Sequence, residues 1–298
     1  MVINVPVNKT SGNPLSINQV PQIWLMDNAF IELNQILSSI KRWFFLQIID
    51  AHIHFPSRDG LESLVKVCEK NEIKKCFLCA LPEDGLDNNA VKKAIQEYPD
   101  LFVGFAYLDL DEDKPETVEK LRSEGFLGIK LITPLKPYDW EGYFPLYEKI
   151  EEKRMPILLH TGVVTRGVKK SEKGVTSNHM RPICLEKIAR SFPNLILIGA
   201  HLGHPWCEEA TVVSFHNPNV YFDISGGHVF YIAEALRRRL HYDIKPSKLL
   251  FGSDASPRNV EKCIHFWQIT LPQLGLSQDE IKLVFYENAA KILSSIPK

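Results

Sequence analysis

Eight short apolar runs, each followed by a segment of helical period within roughly 250 residues, predict an α/β fold of the (β/α)8 TIM-barrel type. Two further observations support it. Most of the runs are continuously apolar rather than alternating, as parallel strands covered on both faces require. The turn after the first run, Ile53-His54-Phe55-Pro56-Ser57, lacks the glycine-rich phosphate loop common at that place in an open doubly wound sheet.

Strands are expected over Leu46–His54, Ile73–Leu81, Leu101–Leu110, Leu127–Thr133, Pro156–Thr161, Leu195–His201, Val220–Ile224 and Lys248–Ser253. Helices are expected near Leu61–Asn71, Asn89–Tyr98, Pro115–Ser123, Phe144–Lys153, Pro182–Ser191, Cys207–Phe215, Tyr231–Leu240 and Val260–Leu271. Pro115 and Pro182 suit first helical turns, where a missing N–H breaks no hydrogen bond. A last helix over Asp279–Ser294 closes the chain. Ahead of the barrel domain (46–298) stands an N-terminal extension (1–45), opening with an Asn-, Pro- and Ser-rich arm. Within it Phe30, Ile31, Leu33, Ile36, Leu37, Ile40 and Trp43 recur at helical spacing, predicting one amphipathic helix over Asp27–Trp43.

Composition excludes several classes. The chain of 298 residues is 45% hydrophobic and carries 35 basic against 36 acidic side chains, a net charge of −1. Such a chain folds, and it has no basic excess for a nucleic acid backbone. No apolar run reaches membrane-spanning length, and no signal peptide opens the sequence. Cys76 and Cys79 form a C-x-x-C inside a buried strand, which reads as reduced core thiols in the cytoplasm rather than a redox pair.

Chemistry in such a barrel gathers at the C-terminal strand ends. There the sequence places Asp50-Ala51-His52-Ile53-His54, then His160, then His201, then Gly252-Ser253-Asp254. Residues two apart on a strand share a face, so His52 and His54, with Cα atoms about 6.6 Å apart, can both aim into the barrel mouth. With His160 and Asp254 they make a donor set for one divalent ion, zinc first, at about 2.0–2.1 Å per nitrogen. Each residue alone has a plainer reading: a strand-end histidine can simply bond a loop carbonyl, and Gly-Ser-Asp makes ordinary turns. The convergence of four does not. His201 is either a further ligand or a free acid/base beside the metal, and an imidazole titrating near neutral pH suits proton transfer. Lys130 is a candidate substrate contact or carrier of a carboxylate adduct, against the simpler expectation of an ion pair with an acidic neighbour. Arg166, His204 and Trp206 are further substrate candidates; Lys169, Lys170 and Arg181 could join Arg166 in holding an anionic substrate, against the plainer reading of most of these as solvated loop charges. Asp223 is placed to orient a ligand histidine, and Asp50 is structural.

The H-x-H, the later histidines and the phrases Ala-His-Leu-Gly-His-Pro-Trp and Leu-Phe-Gly-Ser-Asp resemble the amidohydrolase superfamily over Ile48–Ile296. Within it they are similar to the branch containing aminocarboxymuconate-semialdehyde decarboxylase and resorcylate decarboxylases. The resemblance implies His52, His54, His160 and Asp254 as metal ligands, with His201 polarising substrate or moving a proton. Where the decarboxylases tend to carry a glycine-rich run, this chain has Leu202-Gly203-His204-Pro205-Trp206. The leading expectation is therefore hydrolysis of a small amide, lactone or ester by metal-activated water, with Asp254 shuttling the proton. Non-oxidative decarboxylation of a small aromatic or unsaturated acid is the alternative, and a catalytically silent metal-binding scaffold the third reading. A homodimer with the N-terminal helix as its contact is the assembly considered.

Overall fold

The computed structural model describes residues 46–55, 58–82, 85–164 and 174–297. The N-terminal extension with its expected helix, and the loop residues Arg166, Lys169 and Lys170, lie outside the described residues. Eight parallel strands follow in chain order: β1 (Ile48–Ile53), β2 (Ile73–Cys79), β3 (Phe102–Tyr107), β4 (Gly128–Leu131), β5 (Ile157–Leu159), β6 (Leu197–Gly199), β7 (Val220–Asp223) and β8 (Leu249–Leu250). Each pairs with the next, as in Lys130 opposite Leu158 and Gly199 opposite Phe222. Two bonds join β8 back to β1: Ala51 N–H donates to the Phe251 carbonyl at 2.9 Å, and Asp254 N–H to the His52 carbonyl at 2.8 Å. The expected barrel is the observed one.

Between the strands run α1 (Arg58–Lys70), α2 (Asn88–Glu97), α3 (Pro115–Ser123), α4 (Phe144–Glu152), α5 (Cys184–Ser191), α6 (Cys207–His216), α7 (Val229–Arg239) and α8 (Pro257–Gln273). Local chemistry sets their starts. The Asp87 carboxylate accepts from Ala90 N–H at the head of α2, and Pro115 opens α3. Pro182 does not open its helix; α5 begins at Cys184, after a turn in which Cys184 N–H bonds back to the Arg181 carbonyl.

The expected last helix is split into α9 (Gln278–Lys282), a π turn (Leu283–Glu287) and α10 (Asn288–Ser294). The cause lies in the barrel: the Val284 carbonyl accepts Phe251 N–H at 2.8 Å, so it serves the strand as well as the helix. Asn288 then donates to the carbonyls of Pro246 (2.9 Å) and Leu249 (2.8 Å), pinning α10 to the start of β8.

Two apolar layers result. Ile49, Ala51, Phe77, Phe105, Leu158, Ile198 and Leu250 fill the inner cluster, while the other strand faces pack on the helices. Cys76 and Cys79 are both buried in β2, and all six cysteines are free thiols.

Asn288 is buried, so without it the Pro246 and Leu249 carbonyls have no water to replace the lost donors. Asn288→Ala is expected to lower unfolding stability by about 1–3 kcal/mol, seen as a lower urea midpoint at unchanged slope.

Candidate metal centre

The site begins with a break in strand periodicity. Ile49 and Ala51 both face the barrel interior, so strict alternation would turn His52 outward. Asp50 pairs with Cys76 and Ile53 with Leu78, three residues on β1 against two on β2. This bulge inverts the phase, sending Ile53 out to the helix layer and both His52 and His54 inward.

Each imidazole is then fixed by an acceptor at Nδ1. His54 Nδ1 lies 2.7 Å from the Cys79 carbonyl, which can only accept, so Nδ1 carries the proton and Nε2 a lone pair. His52 Nδ1 lies 2.9 Å from Asp223 Oδ2, with the same result. The two bare Nε2 atoms face each other at 3.2 Å. Asp254 Oδ1 completes the group at 3.7 Å from His52 Nε2 and 3.5 Å from His54 Nε2. Burial, then the neighbouring His52, push the His54 imidazole down to about 3, so it is neutral at physiological pH. Burial also opposes the Asp254 charge, but His52, His201 and His54 outweigh it and hold the carboxyl below its usual range.

His201 follows the same rule. Its Nδ1 lies 2.9 Å from Ser225 Oγ, while the Ser225 hydroxyl donates to Asp223 Oδ1. Nδ1 therefore donates, and the bare Nε2 stands 3.8 Å from Asp254 Oδ2. Asp223 is the hub of this network. Its Oδ1 also accepts the backbone N–H of His201 (2.9 Å) and of Ser225 (3.0 Å). Despite full burial, His52 and the hydrogen bonds hold its carboxyl well below the ordinary range. Asp50 does similar work on the backbone, its Oδ1 accepting the N–H groups of His52 (3.2 Å) and Ser253 (2.9 Å).

The backbone is strained at both functional strand ends. His201 and Asp254 adopt φ of 58° and 45°, a left-handed region uncommon for any non-glycine residue. Gly226 (φ +93°) lets the β7 loop pass His201, since a Cβ there would lie 2.8 Å from His201 Nδ1.

The other expected residues fall in different places. His160 lines the same cavity and packs edge-on to His201 at 5.0 Å between ring centroids. Its Nε2 points to the Val163 carbonyl at 3.3 Å, and it is not among the side chains whose donor atoms gather within 4.8 Å. Lys130 lacks the acidic partner expected for it: among the described residues no carboxylate lies within 4.0 Å, and its Nζ sits 3.1 Å from His52 Nε2. Burial lowers its pKa. His204 stacks on His228 at 4.5 Å and on Tyr231 at 5.1 Å, and the Trp206 ring carries the Arg181 guanidinium at 5.2 Å; neither lines the cavity. Ser225 was not foreseen. Its signal is Asp223-Ile224-Ser225, which repeats at the end of β7 the two-residue spacing of the H-x-H.

The donors fit a divalent cation. Two imidazole lone pairs directed at one another, with an ionised carboxylate beside both, repel unless positive charge lies between them. His52, His54 and Asp254 would hold the ion, and Asp223 would orient His52 from behind. Asp223→Asn is expected to weaken binding of an added divalent cation about 10–100-fold in chelator competition. Ser225→Ala, which leaves the His52–Asp223 bond in place, is expected to have a smaller effect.

Comparison with known proteins now bears on this geometry. Residues 78–294 match the amidohydrolase family. No curated protein matches the chain. Solved structures share the fold at low identity. An uncharacterised TIM-barrel protein from Bordetella bronchiseptica is 17% identical, covering 85% of this chain and 100% of its own, with a TM-score of 0.64. A probable 2-pyrone-4,6-dicarboxylic acid hydrolase from Acinetobacter baumannii is 16% identical, covering 83% and 99%, with a TM-score of 0.60. The 2,6-dihydroxybenzoate decarboxylase from Rhizobium is 16% identical, covering 83% and 98%, with a TM-score of 0.57. With residues 78–294, nearly three quarters of its length, matched to the family, this chain of eight parallel strands belongs to the amidohydrolase family.

Proposed function

We propose that this protein is a metal-dependent hydrolase of a small carbonyl compound, an amide, lactone or ester. One observation carries the reading: the bare Nε2 atoms of His52, His54 and His201 converge with Asp254 on the floor of a cavity of about 370 Å³. That volume suits a small molecule, and Phe55, Leu86 and Ile132 give it apolar walls. Zinc is the proposed ion, held by His52, His54 and Asp254 with His160 as the further ligand. A divalent ion there supplies Lewis acidity, making water a nucleophile at neutral pH and polarising a carbonyl.

The chain's own groups supply the proton transfers. Asp254 is kept ionised and is partly open to the cavity, so it can accept a proton from the attacking water and return it to the leaving group. His201 enters with its lone pair at Nε2. With its Nδ1 proton held by Ser225 and Asp223, that lone pair can accept a hydrogen bond from the attacking water and orient it while Asp254 takes the proton. Lys130 reaches the same floor and is proposed to contact the substrate beside His52. The free thiols support a reducing, cytoplasmic setting.

The named hydrolase and decarboxylase neighbours share this fold equally well, so the assay separates the reactions. Lactone, ester and amide hydrolysis should appear in protein purified without chelator, disappear on metal removal and return with zinc. Asp254→Asn should lower kcat by about 10²-fold or more. Release of carbon dioxide from aromatic acids, with no hydrolysis of any carbonyl compound, would replace this reading with decarboxylation.

A further inference from the structure

A second cavity, of about 570 Å³, opens at the other end of the barrel, where strands begin. Its walls include Phe215 from the end of α6, Tyr221 from β7, Lys245 and Lys248 from the segment entering β8, and Glu287 and Lys291 from the C-terminal helices. We propose that this cleft is a ligand site for a small organic anion with a flat apolar body.

Charge is the first support. Three ammonium groups share the cleft with one carboxylate, and no carboxylate oxygen lies within 4.0 Å of any of them among the described residues. Other lysines find partners: Lys187 lies 2.8 Å from Glu141 and Lys282 lies 2.9 Å from Asp279. Lys248 is half-buried and tethered by its hydrogen bonds. Its Nζ donates to the carbonyls of Asn217, Pro218 and Val220 and stands 4.7 Å over the Tyr221 ring. Burial, followed by repulsion from Lys291 and Lys245, pushes the Lys248 ammonium down to about 8. An anion in the cleft would relieve that repulsion.

Shape and polarity are the second support. Phe215 is 49% exposed at the cleft, and Lys245 lies 5.9 Å over its ring face. With Tyr221 it offers aromatic surface directly beside the ammonium groups. An inorganic ion would use the lysines and ignore the rings, whereas a planar organic anion uses both.

The test uses the full-length chain and 1,5-naphthalenedisulfonate, a rigid aromatic dianion with no carbonyl to hydrolyse, followed by calorimetry. Lys245 and Lys291 are exposed and have no ion pair among the described residues, so Lys245→Glu with Lys291→Glu should preserve the circular dichroism spectrum and metal content. The wild-type chain should bind the dianion, the charge-reversed variant about tenfold more weakly or worse, and raising salt from about 0.05 to about 0.5 M should weaken binding several-fold. Asp254→Asn, which alters only the opposite end, should bind it as the wild type does. The proposal is overturned by absence of binding, by equal binding of neutral 1-naphthol, or by binding that Asp254→Asn removes and charge reversal does not. Because the readout contains no turnover, it stands or falls apart from the hydrolase reading.

Discussion

Two imidazole lone pairs held 3.2 Å apart are the constraint on which the rest of the site depends. Neither ring is free to turn away. The Cys79 carbonyl holds His54 and the buried Asp223 carboxylate holds His52, each by the proton on Nδ1. Rotating either ring to relieve the contact would leave a buried acceptor without its donor, which costs about 1–3 kcal/mol and more for a charged one. The barrel therefore stores an unfavourable contact that positive charge at that point resolves. His52 Nε2 has one lone pair, and Lys130 Nζ at 3.1 Å already addresses it. Lys130 and a cation thus compete for the same electron pair, and a cation that wins sends the lysine's donors into the cavity.

Burial sets the charge states that make this arrangement cohere. A low-dielectric floor favours neutral imidazoles, as the lowered values of His54, His160 and His201 show. The same burial would neutralise carboxylates, and it does raise Asp50 to about 6. Asp223 and Asp254 escape that fate because imidazoles and hydrogen-bond donors surround them. Neutral nitrogens and ionised oxygens in one small volume form a donor set that favours a dication over water or sodium.

Much of this was legible in the residues themselves. Period and apolarity located all eight strands, and the strand-end histidines and Asp254 marked the mouth. What escaped depended on backbone detail that residue type does not encode. The H-x-H spacing implied inward-facing rings, yet Ala51 also faces inward, and only the bulge after Asp50 reconciles the two. Ser225 is a common residue whose importance comes from lying between Asp223 and His201. The π turn at Leu283–Glu287 exists because Phe251, from another part of the chain, claims a carbonyl there. Pro182 has the right residue type for a helix start, but the helix begins two residues later.

The two ends of the barrel differ in how they handle strain. At the C-terminal end, positive φ at His201 and Asp254 is held by bonds to Asp223 and to the His52 carbonyl, so strain and restraint lie within a few ångströms. At the N-terminal end the backbone is well satisfied: Asn288 binds two carbonyls and Lys248 three. That end of such a barrel ordinarily serves stability, and an unpaired group of like charges works against stability. Lys248 alone would have a structural role, tying the loops before β7 and β8. Lys245 and Lys291 have no ion pair among the described residues, and they make Lys248 harder to keep charged. Structural need therefore accounts for one of the three ammonium groups, and electrostatic complementarity to an anion accounts for all of them.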